Sequence, residues 1–124
     1  MTGAPLRRVL IVEDEVVVAM LIEDMLADLG CAVAMVASTA RQAVEDARAC
    51  DVDFALLDIN LGEGETSFAA ALVLRERRIP YAWLTGYGVR GVPEALQAAP
   101  ILDKPIDPDL FGDVVNLLLS PAPD

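Results

Sequence analysis

With 124 residues the chain makes one domain, large enough to bury roughly two thirds of its unfolded surface, and at 55% hydrophobic it is globular rather than disordered. Its longest unbroken apolar runs, such as residues 16–22 and 31–37, fall far short of the roughly 20 residues a membrane span needs. Its 20 acidic residues against nine basic ones leave a net charge of −11, the wrong sign for a nucleic-acid surface, and too few apolar residues follow Arg7-Arg8 for a secretory leader. The expectation is a cytoplasmic protein with no membrane and no nucleic-acid partner.

In chain order, Arg8-Val-Leu-Ile-Val12 is a short apolar run that reads as a first strand, and Glu13, Asp14 and Glu15 follow it at once. Residues 16–29 are helix-compatible, with Ile22, Met25, Leu26 and Leu29 at helical spacing and Gly30 as the stop. Residues 31–37 form a second strand. Thr39 with Gln42 carries a capping-box signal for a helix to about residue 49. Phe54-Ala-Leu-Leu-Asp58 is the third strand, a continuous apolar run with turn residues behind it, the mark of a strand buried on both faces. Thr66 or Ser67 caps a helix to residue 78, which Ile79-Pro80 ends.

Tyr81-Ala-Trp-Leu-Thr85 is the fourth strand. The glycine-rich stretch 86–91 is a poor helix former, and a short helix follows Pro93. Ile101 and Leu102 make a brief fifth strand that ends at Asp103-Lys104-Pro105. Asp107-Pro108 pairs a cap with a first-turn proline for a last helix ending near residue 119. Five strands alternating with about five helices predict an α/β fold with a doubly wound five-stranded parallel sheet, in a single domain over residues 1–124.

In such sheets ligands bind beyond the carboxyl ends of the strands. Glu13 and Asp14, Asp58, Thr85 and Lys104 all stand just past a strand, so parallel strands bring them to one rim. Asp58 alone reads equally as a helix cap or turn former. A solvated loop charge fits any one of these residues and fits the set of them poorly. Lys104 is the only lysine in the chain. Three clustered carboxylates repel, by about 4 kcal/mol per pair at 4 Å and an effective dielectric of 20. One ammonium cannot neutralise them, whereas Mg²⁺ with oxygen ligands can. The chain has no histidine, and its two cysteines, Cys31 and Cys50, have no metal-site spacing, so they read as reduced thiols. Phosphoryl chemistry here would therefore run through a carboxylate, with Asp58 as nucleophile and Thr85 and Lys104 holding phosphoryl oxygens.

In this combination the sequence resembles the receiver domains of two-component response regulators, over essentially the whole chain. The resemblance implies a flavodoxin-like fold and a phosphoryl group passed to Asp58 from a sensor histidine kinase or phosphotransfer protein. It further implies Mg²⁺ held by Asp14, Asp58 and the backbone carbonyl of Asn60, with Glu13 acting through water. The Lys104-Pro105 bond is expected to be cis.

Two departures stand out. Receivers carry a tyrosine or phenylalanine switch three residues before the lysine, where this chain has Ile101. Trp83-Leu-Thr85-Gly86-Tyr87-Gly88 resembles, in part, the signature of the stand-alone FAT GUY receivers. With Ile101 in the switch position, the expected relay runs from Thr85 through Gly86, Tyr87 and Gly88, with residues 86–99 mobile at rest and ordered on activation. Tyr87 is also expected to shield the phosphoryl group from water. The function implied is a single-domain regulator without an output domain, signalling to an unknown downstream protein. A phosphate sink, an aspartyl-nucleophile hydrolase and a pseudo-receiver docking module are the alternatives. Asn60, where such hydrolases place a second aspartate, disfavours the hydrolase.

Overall fold

The structure, a computed structural model, describes residues 6–86 and 92–120. Strands β1 (Arg7–Val12), β2 (Cys31–Ala37), β3 (Phe54–Asp58), β4 (Tyr81–Thr85) and β5 (Ile101–Asp103) form one sheet in the order β2-β1-β3-β4-β5. Every neighbouring pair is parallel. The described helices are α1 (Val16–Asp28), α2 (Ala40–Ala49), α3 (Phe68–Glu76) and α4 (Pro108–Leu119), and the short helix expected after Pro93 is a 3-10 turn, Glu94–Leu96.

Because successive strand residues point to opposite faces, the apolar runs divide into two cores. Leu10, Val12, Leu57, Tyr81 and Trp83 face α2 and α3, packing with Ala43, Ala47 and Leu74. Val9, Ile11, Leu56, Leu84 and Leu102 face α1 and α4, packing with Ile22, Leu26 and Phe111. β3 and β4 are buried along their whole length, as their unbroken apolar sequence requires. Trp83 ties the turn before β5 to this core: its indole N–H donates to the Leu96 carbonyl at 3.0 Å.

Local capping chemistry sets most helix ends. The Thr39 hydroxyl accepts from Gln42 N–H at 3.1 Å, but the Gln42 side chain turns to Asp46 at 2.8 Å instead of closing the box. The Asp107 carboxylate caps α4 on Asp109 N–H at 2.9 Å, with Pro108 in the first turn. Gly30 stops α1 at φ 76°, leaving Leu29 exposed rather than in the core. α3 ends two residues before residue 78, and Arg78 takes φ 60°, a left-handed position that glycine fills without strain. Arg78→Gly is expected to raise stability by about 0.5–1 kcal/mol in a urea titration. An unchanged midpoint would mean the guanidinium offsets the strain.

Candidate functional site

The chain reverses its direction across the sheet between β1 and β3, and the crevice at that switch point opens at the strands' carboxyl ends. Asp14, Glu15, Asp58, Asn60, Thr85, Gly86 and Lys104 line a cleft there of about 340 Å³. Glu13, Asp14, Asp58, Thr85 and Lys104, the strand-end residues named from the sequence, meet at this rim. Glu13, Asp14 and Asp58 each offer a carboxylate oxygen within 4.8 Å of the others.

The single lysine sits among them. Lys104 Nζ lies 3.0 Å from Glu13 Oε1 and 3.3 Å from Asp58 Oδ2. The Lys104 N–H donates to the Thr85 carbonyl at 2.8 Å, which fixes the lysine's backbone to the end of β4. The Lys104-Pro105 peptide is cis, as expected. Glu13 has no exposed side-chain surface, and its second oxygen accepts from Glu15 N–H at 3.2 Å. Asp14, by contrast, is exposed.

Three acids against one ammonium leave a charge imbalance, and protonation absorbs it. Burial pushes Glu13 up to about 7; the Lys104 hydrogen bond and the Glu15 N–H pull back, and the Asp58 charge adds to the rise. Asp58 is also raised, by burial first, with Glu13 and Lys104 opposing. For Lys104 burial disfavours the charge, but Glu13 and Asp58 outweigh it and its pKa rises. Without a cation, Glu13 and Asp58 are therefore both harder to ionise than free carboxylates. A hard divalent cation fits this donor set: closely spaced carboxylate oxygens, an accessible cleft and too little positive charge of its own.

One positioning contact was not legible from sequence. Ser67, expected as a cap, makes no capping bond; its buried hydroxyl donates to the Asp58 carbonyl at 2.5 Å and anchors the end of β3. Gly62, at φ 86°, starts the turn after β3, and a Cβ there would lie 3.5 Å from Asp14 Oδ2. Nothing local to Ser67 marks its partner.

A family model described as Response regulator receiver domain matches residues 9–116. The chain belongs to this family. Among curated proteins, the receiver resembles the Transcriptional regulatory protein PdtaR of Mycobacterium tuberculosis, with 28% identity over 109 residues. That match covers 88% of this chain and 53% of PdtaR, so the chain spans about half the length of the curated relatives it matches. Among solved structures, SdrG from Sphingomonas melonis Fr1 is 34% identical with a TM-score of 0.81, covering 93% of this chain and 98% of that one. The receiver domain of sensor histidine kinase PA1611 from Pseudomonas aeruginosa PAO1, solved with magnesium in its active-site cleft, is 27% identical with a TM-score of 0.78. That alignment covers 93% of this chain and 98% of the other.

As a receiver domain the protein is a module of two-component signalling. Of the residues read as its switch, Ile101 is half-buried, pairs with Trp83 in the β4–β5 register and packs on the core. Thr85 is buried at the end of β4 and Gly86 lines the cleft. Tyr87 and Gly88, and most of the glycine-rich stretch, lie outside the described residues. Cys31 and Cys50 are free thiols, and burial raises both pKa values. No described helix is long and apolar enough to cross a membrane.

Proposed function

We propose that this receiver accepts a phosphoryl group on Asp58 from a sensor histidine kinase or phosphotransfer protein and signals by binding another protein. The observation that carries this reading is the Asp58 carboxylate in the acidic cleft, 3.3 Å from the chain's only lysine. An Asp58 oxygen forms a bond to phosphorus as the donor's P–N bond breaks. Lys104 and Thr85 meet the phosphoryl oxygens and offset the charge they bring. Asp14, Asp58 and the Asn60 carbonyl would hold Mg²⁺, with Glu13 contributing through water; the ion, when bound, neutralises charge during transfer. Residues 1–124 then form one cytoplasmic receiver domain. Its resemblance to the FAT GUY subgroup goes with a signal carried by Thr85 and the segment after it rather than by Ile101.

The surface beside the cleft suits a protein donor. Immediately after Glu15, α1 exposes Val16 (73%) and Val17 (78%), with Met20 and Leu21 one turn on. An exposed apolar patch of this kind marks a protein contact. Labelling with acetyl phosphate, which needs no docking, should survive Val17→Glu, whereas transfer from a donor protein should slow.

Metal binding is tested by melting. Millimolar Mg²⁺ is expected to stabilise the wild type, by about 1.4 kcal/mol when the ion is at ten times its dissociation constant. Asp14→Ala removes one of the repelling carboxylates and one ligand, so it should melt higher without metal and fail to respond to Mg²⁺. An equal Mg²⁺ shift in both proteins would refute the assignment of Asp14.

A further inference from the structure

At the amino-terminal end of β4, at the opposite end of the strands from Asp58, lies a larger cleft of about 730 Å³. Ile79, Leu96, Pro100 and Leu118 give it an apolar lining, contributed by the chain around β4 and β5 and by the last turn of α4. Among the described residues no carboxylate lines it, although the chain has 20 acidic residues. Its charged residues are Arg75 and Arg78. Among the described residues neither guanidinium meets a carboxylate: Arg75 reaches only the Ala95 carbonyl, at 3.4 Å, and Arg78 has no partner. Their neighbour Arg77, by contrast, is fastened to the Ala47 and Cys50 carbonyls.

A third polar group is also unpaired. The Tyr81 ring is buried edge-on to Trp83, while its hydroxyl stays open to solvent and has no hydrogen-bond partner among the described residues. It lines the same cleft. The cleft therefore sets two guanidiniums without carboxylate partners beside a phenol hydroxyl, a donor set that suits a carboxylate.

We infer that this groove docks a partner protein segment in which a carboxylate is flanked by apolar side chains. The carboxylate meets Arg75, Arg78 and the Tyr81 hydroxyl, and the apolar side chains cover Leu96 and Leu118. A peptide fits better than a small acid because the walls are open: Leu117 is 60% exposed, and both arginines are exposed. A small ligand would stay half in water, where sites for such ligands bury most of the molecule. The groove lies away from Asp58, and its occupancy does not depend on phosphorylation.

The test uses the full chain and two pools of short peptides. One pool carries Asp or Glu on either side of Leu, Phe and Pro; the other carries Lys in place of the acids. The acidic pool should shift amide resonances of residues 75–81, 95–100 and 117–120, and added salt should weaken it. Arg75→Gln with Arg78→Gln should weaken binding about tenfold, the loss of a charge-assisted contact, without lowering the melting temperature. Arg78→Gly supplies a control for folding, because it should melt no lower and still bind less. Equal binding of the two pools, shifts confined to other surfaces, or no shift at millimolar peptide would overturn the inference. Octanoate binding as tightly as the acidic peptides would overturn the peptide as occupant. Acetyl phosphate labelling of Asp58 is expected to be the same in all these variants, so failure here is distinguishable from failure of the receiver reading.

Discussion

Acetyl phosphate with Mg²⁺ is expected to add a phosphoryl group to the protein, and Asp58→Asn is expected to take none. The three cleft carboxylates are not equivalent as nucleophiles. Glu13 is enclosed, with one oxygen on Lys104 and the other on the Glu15 N–H. Asp14 is exposed and has no cation within ion-pair distance among the described residues. Asp58 alone combines access from the cleft with a neighbouring ammonium that can follow the charge onto the phosphoryl oxygens. Its backbone is also held, by Ser67 on its carbonyl, so the carboxylate presents one geometry to the donor. Lys104→Met should slow labelling by on the order of 10²-fold, the effect of removing one preorganised charge from a transfer site. Intact-mass spectrometry after timed reaction reads both variants. Undiminished labelling of Asp58→Asn would place the acceptor elsewhere. Removing one of three clustered acids should not lower the melting temperature, so loss of label cannot be put down to unfolding.

The strands were legible because burial on both faces demands unbroken apolar runs, and residues 31–37, 54–58 and 81–85 match the observed strands. Once the strands are parallel, the rim follows from topology, which is why Glu13, Asp14, Asp58, Thr85 and Lys104 could be grouped from sequence alone. Helix starts were legible where the cap is local, at Thr39 and Asp107. The start of α3 also falls at Ser67 as expected, but its cap bond was not legible, because the Ser67 hydroxyl goes to the Asp58 carbonyl; likewise the Gln42 side chain goes to Asp46 one turn along α2. The same limit applies inside the site. That Lys104 bridges Glu13 and Asp58, across 91 residues for the first pair, is a tertiary fact that no local pattern encodes. Arg78 illustrates the opposite error: helical composition carried the expected helix through a residue that the fold places at positive φ. The groove beside it had no signature in the sequence, because its polar groups come from separate elements and its arginines are distinctive only in lacking carboxylate partners among the described residues.

Without a divalent cation, stability is expected to fall as the pH rises from about 4.5 toward about 7, the reverse of an ordinary salt-bridged carboxylate. The cause is Glu13, raised from 4.5 in the unfolded chain to about 7 by burial, with Lys104 and the Glu15 N–H only partly opposing. Between those values the folded state binds a proton that the unfolded state has lost, so the favourable contribution is complete below 4.5 and disappears as the pH passes through about 7. The raised Asp58 acts in the same direction, while Lys104, also raised, keeps its charge throughout. The difference at Glu13 corresponds to up to about 3 kcal/mol. Urea titrations across this range in chelator should show the decline in the wild type, and Glu13→Gln, which cannot titrate, should flatten it. Mg²⁺ binds the ionised carboxylates and so competes with the proton, and its stabilising effect should be larger near pH 8 than near pH 5. Parallel pH profiles for wild type and Glu13→Gln would remove Glu13 as the source. A Mg²⁺ effect of equal size at both pH values would show that the ion does not bind in the acidic cleft.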